Sequence, residues 1–250
     1  MKNYPDGAER RRLRLCRVKA FIGELLSDFL SMFYPRTCVC CGCALKRNEE
    51  DLCVACEVEL PFVPMSIMTS GQPIAERFYG RVEVERATAL LRYEKETISQ
   101  HILHHIKYKG GMSLGYRMGR MLGGRLRDTQ FQEIDALIPV PLHPNKQKLR
   151  GYIQSEWIAK GIGAALDIPV WTDVLERTVE NDTQTRKGAY ERWENVKDIF
   201  RLKDESKIIG KRLLVVDDVM TTGSTVEACI LPIEKVDGVK VSVATLAVVG

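Results

Sequence analysis

The chain has 250 residues, of which 45% are hydrophobic and 28% are charged. This length and composition are those of a globular protein, and they exclude a disordered or fibrous chain. The net charge of +4 is unevenly distributed, because residues 1–20 carry +5 and the remaining residues together carry −1. Attraction to nucleic acid or to anionic lipid would therefore come from the N-terminal residues rather than from the body of the protein.

Residues 1–35 are predicted to form a basic amphipathic helical arm. Between Leu13 and Phe33 the apolar residues recur at spacings of three and four, as they do on one face of a helix. Glu24 and Asp28 interrupt the apolar stretch, so it is not expected to span a membrane. The start of the chain also lacks a signal-peptide pattern, and we therefore expect a cytoplasmic protein without a transmembrane segment.

Residues 36–60 contain six cysteines, which indicate a small zinc module. Two C-x2-C pairs separated by eleven residues can place four thiolates around a structural Zn²⁺ ion. Cys40 and Cys43 offer a second register for the first pair, but Gly42 favours the first register because it follows the second ligand directly. Disulfides are disfavoured in the cytoplasm. The predicted zinc ligands are Cys38, Cys41, Cys53 and Cys56.

Residues 61–85 are rich in proline and are predicted to be a linker, and residues 86–250 are predicted to form an α/β domain. Near-continuous aliphatic runs alternate there with helical patterns, which is typical of a parallel sheet covered by helices on both faces. Ligands bind such sheets at the carboxyl ends of the strands. The predicted strands are 87–93, 134–142, 211–219 and 239–249, and the predicted helices are 96–107, 113–127, 152–166 and 224–236.

The stretch "LLVVDDVMTTGST" at 213–225 carries the strongest chemical signal. Two adjacent carboxylates, Asp217 and Asp218, are costly to bury, so we expect them at the exposed carboxyl end of the strand. The helix that follows begins with backbone N–H groups and the positive end of its dipole, which suit a phosphate. Gly223 allows close approach of the backbone, and hydroxyl groups add donors. The predicted phosphate-binding residues are Thr221, Thr222, Gly223, Ser224 and Thr225.

Carboxylates beside a phosphate site suit the hydroxyl groups of an attached sugar, so the expected ligand is a ribose 5-phosphate. The combination resembles the signature of type I phosphoribosyltransferases. That resemblance implies that Asp217 and Asp218 meet the ribose 2′- and 3′-hydroxyls, and that the hydroxyl-rich loop holds the 5′-phosphate.

Two further stretches carry basic groups for the other end of such a ligand. The stretch at 141–151, "PLHPNKQKLRG", is predicted to be a loop after a strand that neutralises a diphosphate. The stretch at 183–193, "TQTRKGAYERW", has the polarity and length of a mobile loop that closes over a site. The candidates for binding diphosphate are Lys146, Lys148, Arg150 and Gly151. The candidates on the mobile loop are Gln184, Arg186 and Arg192.

The motifs P-V-P-L…R-G-x-x-Q and L-x-R…T-x-Q…R-x-x-N within and around these stretches resemble those of the ComF/GntX family. Members of this family join an N-terminal four-cysteine zinc module to a domain with the type I phosphoribosyltransferase-like fold. The resemblance covers residues 25–250 and implies binding of phosphoribosyl diphosphate (PRPP) together with Mg²⁺. It also implies a link to competence, DNA uptake and the handling of single-stranded DNA.

Two classes of function fit these features. A transferase would displace diphosphate from PRPP by an acceptor that the sequence does not name, and such a step requires no protein nucleophile. A non-catalytic accessory protein would instead sense PRPP, or would bind DNA or DNA-uptake proteins through the basic arm. Turnover of PRPP separates the two classes, and nothing in the sequence indicates the oligomeric state.

Overall fold

The computed structural model describes residues 35–178 and 199–250, and the chain divides into two compact units. The first unit ends at Glu57, and the second begins at Val58. In the described part of the first unit, Thr37 and Ala44 form an antiparallel bridge around a turn at Gly42, which has a φ of +73°. The second unit contains the α/β domain.

The second unit is built on a four-stranded parallel sheet. The strands of the described chain are β1 (Arg86–Tyr93), β2 (Ala136–Pro139), β3 (Leu175–Arg177), β4 (Phe200–Leu202), β5 (Arg212–Met220) and β6 (Lys240–Val249). The sheet has the order β1-β6-β5-β2, whereas β3 and β4 pair antiparallel in a sheet of their own. Eight of the ten residues of β6 are buried without alternation, which confirms the predicted fold class of a parallel sheet flanked by helices.

The helices that follow β1 agree with the predicted ones to within three residues at each end, apart from one helix, α6, that was not predicted. The helices of the described chain are α1 (Val54–Val58), α2 (Met65–Ser70), α3 (Gln72–Ala75), α4 (Ile98–Tyr108), α5 (Met112–Leu126), α6 (Pro144–Arg150), α7 (Gln154–Leu166) and α8 (Ser224–Ile233). Among these described helices, none combines the length and the apolar character that crossing a membrane requires.

The segment predicted as a linker, 61–85, is structured and belongs to the second unit. It contains α2 and α3, and the side chains of Met68 and Phe78 within it are fully buried. Pro64 precedes the first turn of α2, and Gly71 ends the helix in the left-handed conformation with a φ of +69°. Pro64 and Gly71, whose residue types are also common in linkers, therefore mark the ends of a short helix.

Helices α5 and α7 cross at very short distance because glycines remove the side chains from their contact. A Cβ atom at Gly119 of α5 would lie 2.2 Å from the carbonyl oxygen of Ile158. A Cβ atom at Gly161 of α7 would lie 2.1 Å from the carbonyl oxygen of Tyr116. Helix α7 also contacts β2 and β5, so this crossing positions the segment that follows β2.

The carboxyl ends of β2 and β5 lie side by side. Pro139 is paired with Val216 in the parallel register, and the N–H of Val140 donates to the carbonyl oxygen of Val216 at 2.9 Å. Strand β5 continues further and pairs with β6 as far as Met220. The residues that follow β2 therefore lie beside Asp217.

Candidate functional site

Strand β5 carries Asp217 and Asp218 and extends past both of them to Met220. Both residues therefore lie within the strand close to its carboxyl end, as expected, but they are less exposed than the sequence suggested. Asp217 is half-buried, and only 8% of Asp218 is exposed. Since successive side chains of a strand point to opposite faces of the sheet, the two carboxylates leave β5 in opposite directions.

Asp218 is held in an ion pair. Its Oδ2 atom lies 3.3 Å from Nζ of Lys107, which is in the last turn of α4. The side chains of Asp218 and Lys107 are 12% and 25% exposed, so water and salt screen this pair less than they screen a surface pair. Helix α4 therefore covers the face of the sheet to which Asp218 points.

Asp217 interacts electrostatically with Arg177 of β3 and with Cys229 of α8, on the other face. Burial and the charge of Asp218 raise the pKa of Asp217 to about 7. The N–H of Asp218, which donates to Oδ1 of Asp217 at 2.8 Å, opposes this increase, as do the charges of Lys107 and Arg177. A carboxylate in this setting is stabilised in its charged form by a ligand that donates hydrogen bonds to it.

Asp217 and residues 219–226 line an open pocket. Helix α8 begins at Ser224, so the first N–H groups of the helix, which have no acceptor within it, belong to the lining residues. The positive end of the helix dipole also lies there. The hydroxyl oxygens of Thr222 and Ser224 are 2.9 Å apart. The structure thus brings Asp217 together with the five predicted phosphate-binding residues.

Two arginines that no motif marks hold this loop. Arg77 donates through Nη1 to the carbonyl oxygen of Thr221 at 3.2 Å, and Arg81 donates through Nη2 to that of Thr222 at 3.1 Å. Arg81 also places Nη1 2.7 Å from Oε2 of Glu227, in the first turn of α8. The bonded residues are 144 and 141 positions apart in the sequence, which is why the sequence analysis missed the arginines.

Gly223 adopts a left-handed conformation with a φ of +83°, which disfavours other residues. A Cβ atom at this position would lie 3.0 Å from Cε1 of Phe78, a fully buried side chain. The sequence analysis explains this glycine by close approach of a ligand. The structure supplies two further reasons, the backbone conformation and the contact with Phe78.

The stretch predicted as a diphosphate-binding loop forms a helix, α6. Pro144 is its first residue, and Gly151 ends it in the left-handed conformation with a φ of +78°. These end signals are present in the sequence, but the polar composition of the segment favoured a loop. Of the basic side chains, Lys146 is half-buried and Lys148 is exposed.

Arg150, the last residue of α6, lies near the end of α4. Its guanidinium carbon is 5.3 Å from the centre of the Tyr108 ring. The hydroxyl of Tyr152 donates to the carbonyl oxygen of Ile106, which immediately precedes Lys107. The structure thus brings Arg150 to the end of α4 that binds Asp218.

The three candidates on the mobile loop, Gln184, Arg186 and Arg192, lie outside the described residues. Residues 1–34 of the predicted basic arm lie outside them as well.

The first unit contains a candidate metal centre in which four Sγ atoms all lie within 4.8 Å of one another. Ligands about 2.3 Å from a tetrahedral Zn²⁺ ion are roughly 3.8 Å from each other, so a small adjustment is sufficient to bind the ion. Four cysteines are also the donor set of structural zinc sites. The group consists of Cys38, Cys41, Cys53 and Cys56, and it therefore contains the first of the two registers.

Hydrogen bonds to sulfur favour the thiolate form of Cys38, whereas burial and hydrogen bonds with other cysteines raise the pKa of Cys56. Burial raises the pKa of Cys38, but N–H groups of Cys41, Cys53 and Cys40 outweigh this effect and lower the pKa to about 6. The N–H of Cys53 is 3.4 Å from the Cys38 sulfur. Cys43 lies 3.2 Å from Cys41, sulfur to sulfur, and its hydrogen bond with Cys41 raises its own pKa to about 12. Because metals bind thiolates, the lowered pKa of Cys38 makes it a better prepared ligand than Cys43, whose pKa is raised.

Comparisons with known proteins agree with this architecture. Residues 154–249 match the family described as "Phosphoribosyl transferase domain". "Competence protein F" of Haemophilus influenzae is 26% identical over 207 residues, which cover 77% of this chain and 88% of that protein. "DNA utilization protein YhgH" of Escherichia coli O157:H7 is 31% identical over 129 residues, which cover 50% of this chain and 56% of that protein.

A solved structure of glutamine phosphoribosylpyrophosphate amidotransferase from B. subtilis, complexed with ADP and GMP, aligns with 56% of this chain and 30% of its own. The sequence identity is 19% and the TM-score is 0.38, a similarity too low to carry an argument.

The parallel sheet, the loop at the start of α8 and the matched domain together define a phosphoribosyltransferase-like protein of type I. Its relatives include proteins named for competence and for DNA utilization, and its first unit contains the four-cysteine cluster. In its matched domain and its sequence motifs the chain is similar to ComF-like, phosphoribosyltransferase-related proteins.

Proposed function

We propose that the pocket beside Asp217 binds PRPP together with Mg²⁺. The observation that carries this proposal is the junction of β5 and α8, where a carboxylate and a hydroxyl-rich helix start line one pocket. The 5′-phosphate would accept hydrogen bonds from N–H and hydroxyl groups of residues 221–225. The ribose hydroxyls would donate to Asp217 and Asp218, and these bonds would favour the charged form of Asp217.

The diphosphate end of PRPP would meet the segment that follows β2. This segment starts beside β5 and leads into α6, which supplies basic side chains and ends near Lys107. Bound Mg²⁺ would neutralise part of the diphosphate charge. The proposed contacts of the diphosphate are Lys146, Lys148, Arg150 and Gly151, and Gln184, Arg186 and Arg192 remain proposed as residues that close over the site.

The reaction that such a site suits is transfer of the phosphoribosyl group. A bond forms between the acceptor and C1 of the ribose while the bond from C1 to the diphosphate oxygen breaks, and diphosphate leaves with the electron pair. Positive charge would develop on the ribose ring, and the carboxylate of Asp217 would stabilise it. The protein contributes position and electrostatics, and the acceptor is left open.

We propose that the four-cysteine cluster binds one structural Zn²⁺ ion. The four sulfur atoms would fill all four coordination positions of the ion and leave none open for a substrate, and three of the four cysteines are buried. The metal would therefore hold the first unit together and take no part in the transfer.

A second candidate function is that of an accessory protein of DNA uptake in the cytoplasm, which binds PRPP without consuming it. The names of the relatives, "Competence protein F" and "DNA utilization protein", favour this role. The charge of +5 on residues 1–20 would then contact DNA phosphates or a DNA-uptake protein. Deletion of these residues should weaken binding to single-stranded DNA and reduce its salt dependence.

Titration calorimetry with ribose 5-phosphate, and with PRPP plus Mg²⁺, tests the site. A hydrogen bond to a charged group contributes about 1.5 to 3 kcal/mol, so Asp217→Asn or Asp218→Asn should weaken binding roughly 10- to 100-fold. Asp237→Asn, at an exposed acid between α8 and β6, is the matched control. If the wild-type protein binds neither compound at millimolar concentration, the site assignment is wrong and only the fold remains. Diphosphate release in a screen of acceptors then separates the transferase from the sensor.

A further inference from the structure

We infer that Arg77 and Arg81 are positioning residues that fix the phosphate-binding loop before the ligand arrives. We call these two residues, together with Phe78 between them, the arginine brace. The inference rests on the proposed function, because it assumes that the loop at 221–225 binds a phosphate group. It adds residues to the site that lie outside the matched domain, in the segment that the sequence suggested was a linker.

The contacts of the brace determine the direction of two peptide groups. The guanidinium groups bind the carbonyl oxygens of Thr221 and Thr222. In a planar trans peptide the C=O and the following N–H point in opposite directions. With both carbonyls turned toward the arginines, the N–H groups of Thr222 and Gly223 must point away from the brace. Two donors of the loop are therefore oriented by residues that need not touch the ligand.

The brace also fixes the loop to the helix that follows. Arg81 binds Glu227 in the first turn of α8, and the same guanidinium binds the carbonyl oxygen of Arg77. The ring of Phe78 packs closely on Gly223, since a Cβ atom at position 223 would lie 3.0 Å from its Cε1 atom. One arginine thus joins the brace, the loop and the start of α8, so that these three parts are ordered together.

Arginine suits this role better than lysine does. Arg81 uses two different nitrogens, Nη1 for Glu227 and Nη2 for Thr222 and the backbone of Arg77. A guanidinium presents several N–H donors in a rigid fork, whereas an ammonium group is a point charge on a flexible stem. Arg81→Lys keeps the charge beside the loop but loses the fork. This substitution therefore separates positioning from simple attraction of an anion.

A loop that is ordered in advance binds more tightly, since the ligand does not have to order it. Removal of Arg81 should therefore weaken binding of ribose 5-phosphate by about tenfold. Arg81→Lys should show nearly the same loss, and Glu227→Gln should show a smaller loss in the same direction. Arg92→Ala, at an exposed arginine on β1, should have no effect and is the matched control.

The experiment combines calorimetry with ribose 5-phosphate and amide hydrogen exchange of the peptide that spans 219–226, measured in the absence of ligand. The expected result is weaker binding and faster exchange of this peptide in Arg81→Ala and Arg81→Lys, with wild-type values in Arg92→Ala. Melting temperatures show whether each variant is folded. If Arg81→Ala does not fold, Glu227→Gln, which removes no arginine, takes its place in the experiment.

Several results would overturn the inference. Affinity that is restored by Arg81→Lys would mean that charge rather than geometry matters. Unchanged exchange of the loop in the arginine variants would mean that the brace does not order it. If the wild-type protein does not bind ribose 5-phosphate, the proposed function is wrong, whereas the exchange data still decide whether the brace orders the loop.

Discussion

The crossing of α5 and α7 predicts that replacing glycine by alanine at three positions of α5 changes the stability of the protein by different amounts. At Gly119, an added Cβ atom would lie 2.2 Å from the carbonyl oxygen of Ile158. At Gly115 the nearest atom would be 3.6 Å away, and at Gly124 no atom would lie within 4 Å. Of these three substitutions, only Gly119→Ala therefore forces the two helices apart, by about 1 Å if a normal contact is to be restored.

The expected free energies follow from two opposing effects. Replacing glycine by alanine within a helix stabilises the protein by roughly 0.5 to 1 kcal/mol, because alanine loses less conformational freedom on folding. Overpacking in a close contact costs about 1 to 3 kcal/mol. Gly115→Ala and Gly124→Ala should be neutral or stabilising, whereas Gly119→Ala should lower the free energy of unfolding by about 2 kcal/mol. For a protein of this size that corresponds to a melting temperature lower by roughly 4 to 8 °C.

Denaturant unfolding followed by far-UV circular dichroism, with zinc present throughout, measures the three variants. The midpoint concentration should fall only for Gly119→Ala, at an unchanged slope. If Gly119→Ala is as stable as Gly115→Ala, the close approach of the two helices is not a property of the folded protein, and the reasoning is refuted.

Three further predictions concern zinc binding, the pH dependence of ligand binding and the pH dependence of stability. Cys38→Ser should abolish zinc binding, whereas Cys40→Ser should retain about one Zn²⁺ ion per chain. Metal analysis of the purified variants under reducing conditions measures the zinc content, and the reverse result would assign the register with Cys40 and Cys43. Because the pKa of Asp217 is raised to about 7, binding of ribose 5-phosphate should weaken as the pH falls through that value, and Asp217→Asn should lose this dependence while the titration of the phosphate itself remains. The raised pKa also means that this carboxyl group contributes stability at pH values below its unfolded pKa, and that the contribution is lost as the pH rises through about 7. Relative to the wild type, Asp217→Asn should therefore become more stable with rising pH, and an unchanged difference in melting temperature across this range would contradict the assignment.

Local patterns predicted most of the fold. The aliphatic runs of β5 and β6 and the hydroxyl-rich start of α8 are each contained in a short stretch of sequence, and the structure has them where the pattern places them. Helix α6 was not predicted, although Pro144 and Gly151 mark its ends, because its polar composition resembles that of a loop. Composition is a weaker guide than the residues that begin and end a helix.

The arginine brace could not have been predicted from local patterns. Arg77 and Arg81 lie in a segment with the composition of a linker, and each binds a carbonyl group more than 140 residues away. A backbone carbonyl is the same acceptor in every residue type, so neither end of these bonds leaves a trace in the sequence. Contacts of this kind become visible only when the fold has brought the two segments together.

The two adjacent carboxylates show how strand geometry changes an interpretation that was made from sequence. Read as a pair, Asp217 and Asp218 suggest one common task. Within β5, however, they point to opposite faces, and only Asp217 lines the pocket with the loop. Asp218 already has a partner in Lys107, which ends the helix that Arg150 and Tyr152 approach. A ribose hydroxyl that binds Asp218 as proposed must therefore compete with the ammonium group of Lys107. Among the described ion pairs, none brings an equally close cation to Asp217. Its charged form is therefore unfavourable until a ligand donates a hydrogen bond to the carboxylate.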